Sequence, residues 1–200
     1  MRNDMYNRFE LHREWVETSG QEGEQLRLQD VDFREFDISD ICLEQSFMAS
    51  CTFEGLSLNN IDFHASVLSS SLYKNSNVMH CDFYKSDLSY VDFSNSNVDT
   101  VRFSRGDLWE TRFDNATIKN SNFSACNLSL TDFSHALLAD VDISEARFEG
   151  VLFYGVTLIN IEGIEEANFH SIHIGSADKP LILKGQEARD WFRMKAEESI

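Results

Sequence analysis

The sequence predicts an all-β fold: a right-handed, four-sided parallel β-helix of about seven coils with a helical cap at each end. Three observations carry this. A large apolar residue recurs at every fifth position from Leu28 to Leu158 without a break. The residue two places before it is usually small or aliphatic, as at Cys51, Ser66, Ser71, Ser86, Val91, Val101, Ala116, Ala136, Ala146 and Val151. The identity of the large residue is coherent at steps of twenty, not of five.

A period of five fits neither a helix at 3.6 nor a plain strand at 2. It fits a short extended piece followed by a corner. Residues two apart in an extended segment point the same way, so the small and the large residue both face inward. The residue between them faces out, and the other two turn the chain. Units that cannot bury a face alone must stack. The columns at steps of twenty give the number of sides. One is Phe33, Phe53, Tyr73, Phe93, Phe113, Phe133 and Phe153; another is Leu43, Phe63, Phe83, Phe103, Phe123 and Ile143. Between them lie two mostly aliphatic columns, one through Ile38, Val98 and Leu158, the other through Leu28, Leu88 and Phe148. Four units per coil place the aromatic columns on opposite walls. At strand spacing the prism is ~33 Å long, and its parallel connections favour a right-handed coil.

Units such as Ser86-Asp87-Leu88-Ser89 and Thr131-Asp132-Phe133-Ser134, continued over 26–161, resemble the pentapeptide-repeat proteins. The resemblance implies a right-handed quadrilateral β-helix. The chain departs from the family's preference for alanine at the small position, with Phe36, Ile41 and Leu56 there, which implies a locally wider or distorted prism.

The chain divides in order as follows. Residues 1–25 form an N-terminal cap and lead-in: Met5, Phe9, His12 and Val16 lie on one face of a helix from about Asp4 to Val16, and Gly20 and Gly23 lead out of it. An open prism end exposes unpaired backbone and rings, so a cap is required there. Many members of the family resembled begin with a similar His-x-x-Trp lead-in, here His12-Arg13-Glu14-Trp15. The repeat occupies 26–162 without an insertion. Residues 163–184 read as an irregular last coil and loop, after a one-residue slip at Gly163. A helix over 185–200 closes the chain, with Ala188, Trp191, Phe192 and Lys195 at helical spacing.

Composition excludes several function classes. The net charge of −17 opposes ordinary nucleic-acid binding, which needs basic patches. Apolar runs are too short to span a bilayer, and the start lacks a signal-peptide core, so no membrane association and a cytoplasmic location are expected. Cys51, Cys81 and Cys126 sit at the small inward position and read as core residues, while Cys42 falls at an outward one. The six histidines form no metal spacing along the chain, and His170 with His173 reads as a chance pair. No metal, cofactor or catalytic residue is assigned, and the protein is expected not to be an enzyme. The recurrent aspartates fall at the outward position of the repeat and read as architectural.

What remains is recognition of another protein. On the fourth wall Phe47, Val67, Tyr90, Trp109 and Leu130 occupy outward or corner positions, and Leu72, Leu152 and Tyr154 do so on the first. A row of aromatics on a flat rigid wall suits protein docking. The resemblance implies an alternative, DNA mimicry, since some members of the family occupy the DNA-binding saddle of gyrase or topoisomerase IV, in fluoroquinolone resistance or toxin self-immunity. From Leu26 to Asn160 nine basic and twenty acidic residues leave −11, shared almost equally among the walls. That is about one charge per 3 Å, against one per ~1.7 Å in duplex DNA. A homodimer through the C-terminal helix is a further option, as is a passive role.

Overall fold

A computed structural model describes residues 2–39, 41–176 and 178–197. Helix α1 (Arg2–Glu17) precedes a parallel β-solenoid, and helix α2 (Gln186–Glu197) follows it. One wall is a six-stranded parallel sheet of β3 (Ser57–Asn59), β4 (Asn77–Met79), β5 (Asn97–Asp99), β6 (Thr117–Lys119), β7 (Leu137–Asp142) and β9 (Thr157–Glu162). Its register steps by twenty, Leu58 facing Val78 and Val78 facing Val98. The wall opposite begins with β1 (Arg27–Gln29) against β2 (Phe47–Ala49) and continues through Val67, Asp87, Asp107, Asn127 and Arg147, one bridge per coil. The remaining walls are also single-bridge ladders, Asp32 to Leu152 and Asp62 to Asp142. Twenty residues therefore make one four-sided coil.

Each wall carries a single inward-facing large residue per coil, and these residues fill the prism. The two aromatic columns are buried along their length. Phe93 lies 4.8 Å from Tyr73 and 5.0 Å from Phe113 in stacked geometry, and meets Phe83 and Phe103 of the opposite column edge-on at 6.1 and 6.0 Å. Two parallel ring stacks thus touch edge to face at the centre, an arrangement favoured by the ring quadrupole. The stack extends into the caps. Phe9 of α1 stacks on Phe33, and Phe192 of α2 meets Phe153 edge-on at 5.1 Å.

One core hydroxyl is an exception. The Tyr73 Oη is buried with no hydrogen-bond partner among the described residues, and burial pushes its pKa well above the usual range. An orphaned buried hydroxyl costs about 1–3 kcal/mol. Tyr73→Phe is therefore expected to stabilise the protein by about 1–2 kcal/mol in a denaturant titration. A destabilised variant would mean that the hydroxyl is bonded, for instance to a buried water.

The small inward residues are hydrogen-bond donors as well as spacers. Ser66, Ser86, Thr111 and Thr131 donate to the carbonyls of Leu43, Phe63, Leu88 and Leu108 on the coil before, at 2.7–2.9 Å. Cys126 Sγ does the same to Phe103 at 3.0 Å. That explains why Ser, Thr and Cys replace alanine so often here: a hydroxyl or thiol at this position satisfies a carbonyl that the single-bridge walls leave with spare capacity.

The corners are left-handed. Among the described residues, at twenty-two non-glycine positions two past a large centre, from Asp30 to Asn160, φ lies between 48° and 62°. Each costs roughly 1 kcal/mol for an L residue and persists because the ladder on either side over-determines it. Asp62, Asp82, Asp92 and Asp132 brace these turns, each accepting from the backbone N–H two residues on at 2.8–2.9 Å.

The first coil departs from the pattern. Phe33–Glu35 is a 3-10 turn, and Phe36, too large for the small position, is only partly buried. Its ring is met by Tyr6 and Phe9 of α1, so the cap fills the space that the distortion opens. After β9 the chain slips by one around Gly163, and β10 (Asn168–His173) joins β8 (Arg147–Leu152) with a register shift beyond Phe169. The two-residue strand β11 (Ile182–Leu183) pairs antiparallel with β10 and ends the ladder. Helix α2 turns Ala188 and Phe192 into its own last coil, where both are buried. Its apolar face is thus already covered, and a homodimer through this helix would have to use the exposed Met194 side. Residues 198–200, the end of the helix expected over 185–200, lie outside the described residues.

Candidate protein-binding wall

The fourth wall is the one built on Leu28, Met48, Leu68, Leu88, Leu108, Leu128 and Phe148, whose side chains point inward and are buried. Position two past each centre is a left-handed corner, which turns its side chain away from the core. Most corners carry Asn, Ser or a charged residue. Tyr90 (φ 61°) and Leu130 (φ 60°) are the large apolar exceptions among the described residues, and each is 47% exposed. They belong to the same edge of the same wall, two coils apart. Trp109, one position before the intervening corner at Glu110, lies between them. Its ring meets Tyr90 edge-on at 4.8 Å, and its backbone carbonyl accepts from the Tyr90 N–H at 2.9 Å.

Trp109 and Leu130 line a surface depression of about 550 Å³, together with Asn127, Ser129, Arg147 and Glu149. Gly150 stands above Leu130, and a Cβ there would come within 2.8 Å of Leu130 Cδ2. The glycine leaves room for the leucine to lie flat, and the Arg147–Glu149 ion pair edges the depression. An apolar floor with a charged rim is the composition of a protein interface core.

Phe47 and Val67 do not join this group. They pair with one another on the opposite edge of the wall, where Arg27 lies over the Phe47 ring at 5.5 Å. Their column then turns polar at Asp87. The five residues therefore form two patches instead of one strip, because outward position 7 and corner position 10 lie on different edges. On the first wall Leu72 and Tyr154 are exposed but lie on coils far apart, and Leu152 is half-buried.

The acidic residues are partly neutralised. Arg102 pairs with Asp82, and Arg112 and Lys74 both reach Asp92 at 3.3 Å. Burial alone would raise the Asp92 carboxyl, but the Ser94 hydrogen bonds, Lys74 and Arg112 together hold it below the usual range. The three Cys at inward positions are buried and free. No helix among the described residues is long and apolar enough to cross a membrane.

The twenty-residue register also assembles a group that reading along the chain misses. Glu44, Asp62 and His64 stand together on the wall of Phe63, with donor atoms within 4.8 Å of one another. Their spacing of 18 and 20 residues is no recognised ligand motif. It becomes visible when positions are compared one coil apart.

A sequence model of the pentapeptide repeat region matches residues 96–177. The five-residue units in one register and the four-sided ladder stepping by twenty agree with that match. The chain carries a pentapeptide repeat region. Among solved structures, this chain is similar to the pentapeptide repeat protein Rfr23 from the cyanobacterium Cyanothece 51142, at 20% identity, over 60% of this chain and 92% of that one, with a TM-score of 0.40. It is similar to full-length QnrB1, a plasmid-mediated fluoroquinolone resistance protein, at 13% identity over 77% and 93% of the two chains, with a TM-score of 0.30. HetL, involved in heterocyst differentiation regulation in Nostoc sp. strain PCC 7120, aligns at 12% identity over 82% and 95%, with a TM-score of 0.26. A search of curated proteins with this sequence finds no match.

Proposed function

We propose that this chain is a non-enzymatic, rigid, acidic module that binds another protein through the corner formed by Tyr90, Trp109 and Leu130. The observation that carries this reading is the pair of bulky apolar side chains held half-exposed on left-handed corners of one wall edge, with a tryptophan between them. A left-handed Tyr or Leu is disfavoured relative to Asn or Gly, and nothing in the core needs either side chain. The prism is rigid, so little ordering entropy is lost when a partner docks. The free thiols at core positions suit the reducing cytoplasm, which is the proposed location.

The test uses Trp109→Ala. Its thermal stability should stay close to wild type, while association with a partner captured from the source organism, or self-association in analytical ultracentrifugation, should weaken by about 1 kcal/mol or more. A loss of several kcal/mol in stability would assign Trp109 to the fold and remove the centre of the site. DNA mimicry remains the second reading, supported by the net −11 on the prism. It is weakened by the ion pairs at Asp82 and Asp92. Mimicry requires inhibition of gyrase supercoiling at micromolar levels or below, relieved by salt; absence of inhibition at low salt rules it out.

A further inference from the structure

A second feature lies at the other end of the prism and does not depend on the binding wall. Cys42 and Glu44 on one coil stand beside Asp62 and His64 on the next, giving a two-by-two array of outward side chains on a single wall. His64 Nδ1 is 3.1 Å from Glu44 Oε2 and 3.9 Å from Asp62 Oδ1. Cys42 Sγ lies 3.9 Å from the other Glu44 oxygen, Oε1. The same wall carries Asp82 and Tyr84, then Arg102 and Ser104, on the following coils. The mixed nitrogen, oxygen and sulfur set is therefore confined to this pair of coils.

We infer that Glu44, Asp62 and His64, with Cys42 beside them, form a binding site for a divalent transition metal ion of the zinc class. Three arguments support it. Tetrahedral zinc with ligand bonds of ~2.0–2.1 Å has its donors separated by ~3.3 Å. His64 Nδ1 lies 3.1 and 3.9 Å from the two carboxylates and all three donors lie within 4.8 Å of one another, so side-chain rotations can bring them to that separation. Two carboxylates and an imidazole form a mixed oxygen and nitrogen donor set suited to zinc, with the Cys42 thiol beside Glu44 as a neighbour; all-oxygen sets suit magnesium or calcium. The backbone under the donors is fixed on both coils. Gln45 N donates to the His64 carbonyl at 2.8 Å, His12 holds the Glu44 carbonyl at 2.9 Å, and Asp62 Oδ1 accepts from the His64 N–H at 2.8 Å. Arg13 of the cap helix, paired with Glu10, lies close enough to act electrostatically on Cys42. Because its ligands belong to successive coils, a bound ion would act as a clip across the ladder at the capped end.

The test is isothermal titration of untagged, chelator-treated protein with zinc chloride, and separately with magnesium chloride. One zinc per chain is expected, with magnesium bound about a hundredfold more weakly or not at all. His64→Ala and Glu44→Gln should each weaken zinc about tenfold or more, and Cys42→Ser should weaken it too. All three side chains are partly exposed, so metal-free melting temperatures should match wild type, which separates ligand loss from misfolding. Zinc should raise the melting temperature of wild type but not of His64→Ala. A His170→Ala, His173→Ala double variant should bind zinc as wild type does. The inference is overturned if zinc binds wild type and His64→Ala alike, if magnesium matches zinc, or if the His170/His173 variant abolishes the binding; the Glu44–His64 contact is then an ordinary hydrogen bond.

Discussion

Phe93→Ala is expected to lower the unfolding free energy by about 3–5 kcal/mol. Phe93 sits in the middle of its column, fully buried, with a ring stacked above it, a ring stacked below and two more meeting it edge-on. Truncation removes four ring contacts at once. The coils above and below are fixed by their ladders, so the space cannot collapse, and the cost should sit at the upper end of the large-to-small range. Chemical denaturation followed by tryptophan fluorescence reads it directly. A variant that melts with wild type would mean that the stack contributes nothing beyond filling volume.

His12→Ala is expected to cost about 2–4 kcal/mol, although the side chain lies outside the repeat. His12 is fully buried between α1 and the first two coils, stacked on Trp15. The Leu26 N–H donates to its Nδ1 at 3.0 Å, so Nδ1 is the acceptor and Nε2 carries the proton that goes to the Glu44 carbonyl at 2.9 Å. Burial lowers the ring pKa, against the opposing pull of Glu44, and favours this neutral tautomer. Alanine would leave a buried donor and a buried acceptor without partners, each worth about 1–3 kcal/mol. Amide exchange should quicken first in α1 and around Leu26. Unchanged protection there would mean that Phe9 and Tyr6 alone hold the cap.

The period read from the sequence specifies a coil of twenty residues, and with it the two aromatic columns, since a side chain's column follows from its number alone. The caps were legible from the apolar face through Phe9 and His12 and from the pairing of Ala188 with Phe192. Two things were not legible. The inward serines and threonines read as small residues, because their bonds reach a carbonyl twenty-three positions earlier. Phe47 and Tyr90 read as one strip, because the pattern gives a wall number but not which edge of the wall an outward position occupies; the left-handed corner decides that. The Glu44–His64 group was hidden for a related reason: ligand motifs are sought along a helix or strand, whereas here neighbours are one coil apart.

The twenty-residue ladder also sets a rule for how the length of this protein can change. Removing one five-residue unit keeps every side chain on its inward or outward side, so the prism survives, but everything downstream turns by a quarter relative to everything upstream. A deletion of five between Asn95 and Thr100 would therefore leave Tyr90 in place and carry Trp109 and Leu130 to another face. A deletion of twenty would shorten the prism by one rise of ~4.8 Å and leave all four faces aligned. Insertions and deletions thus come in two sizes with different outcomes. One changes only the distance between surface features, and the other reassigns which features share a face.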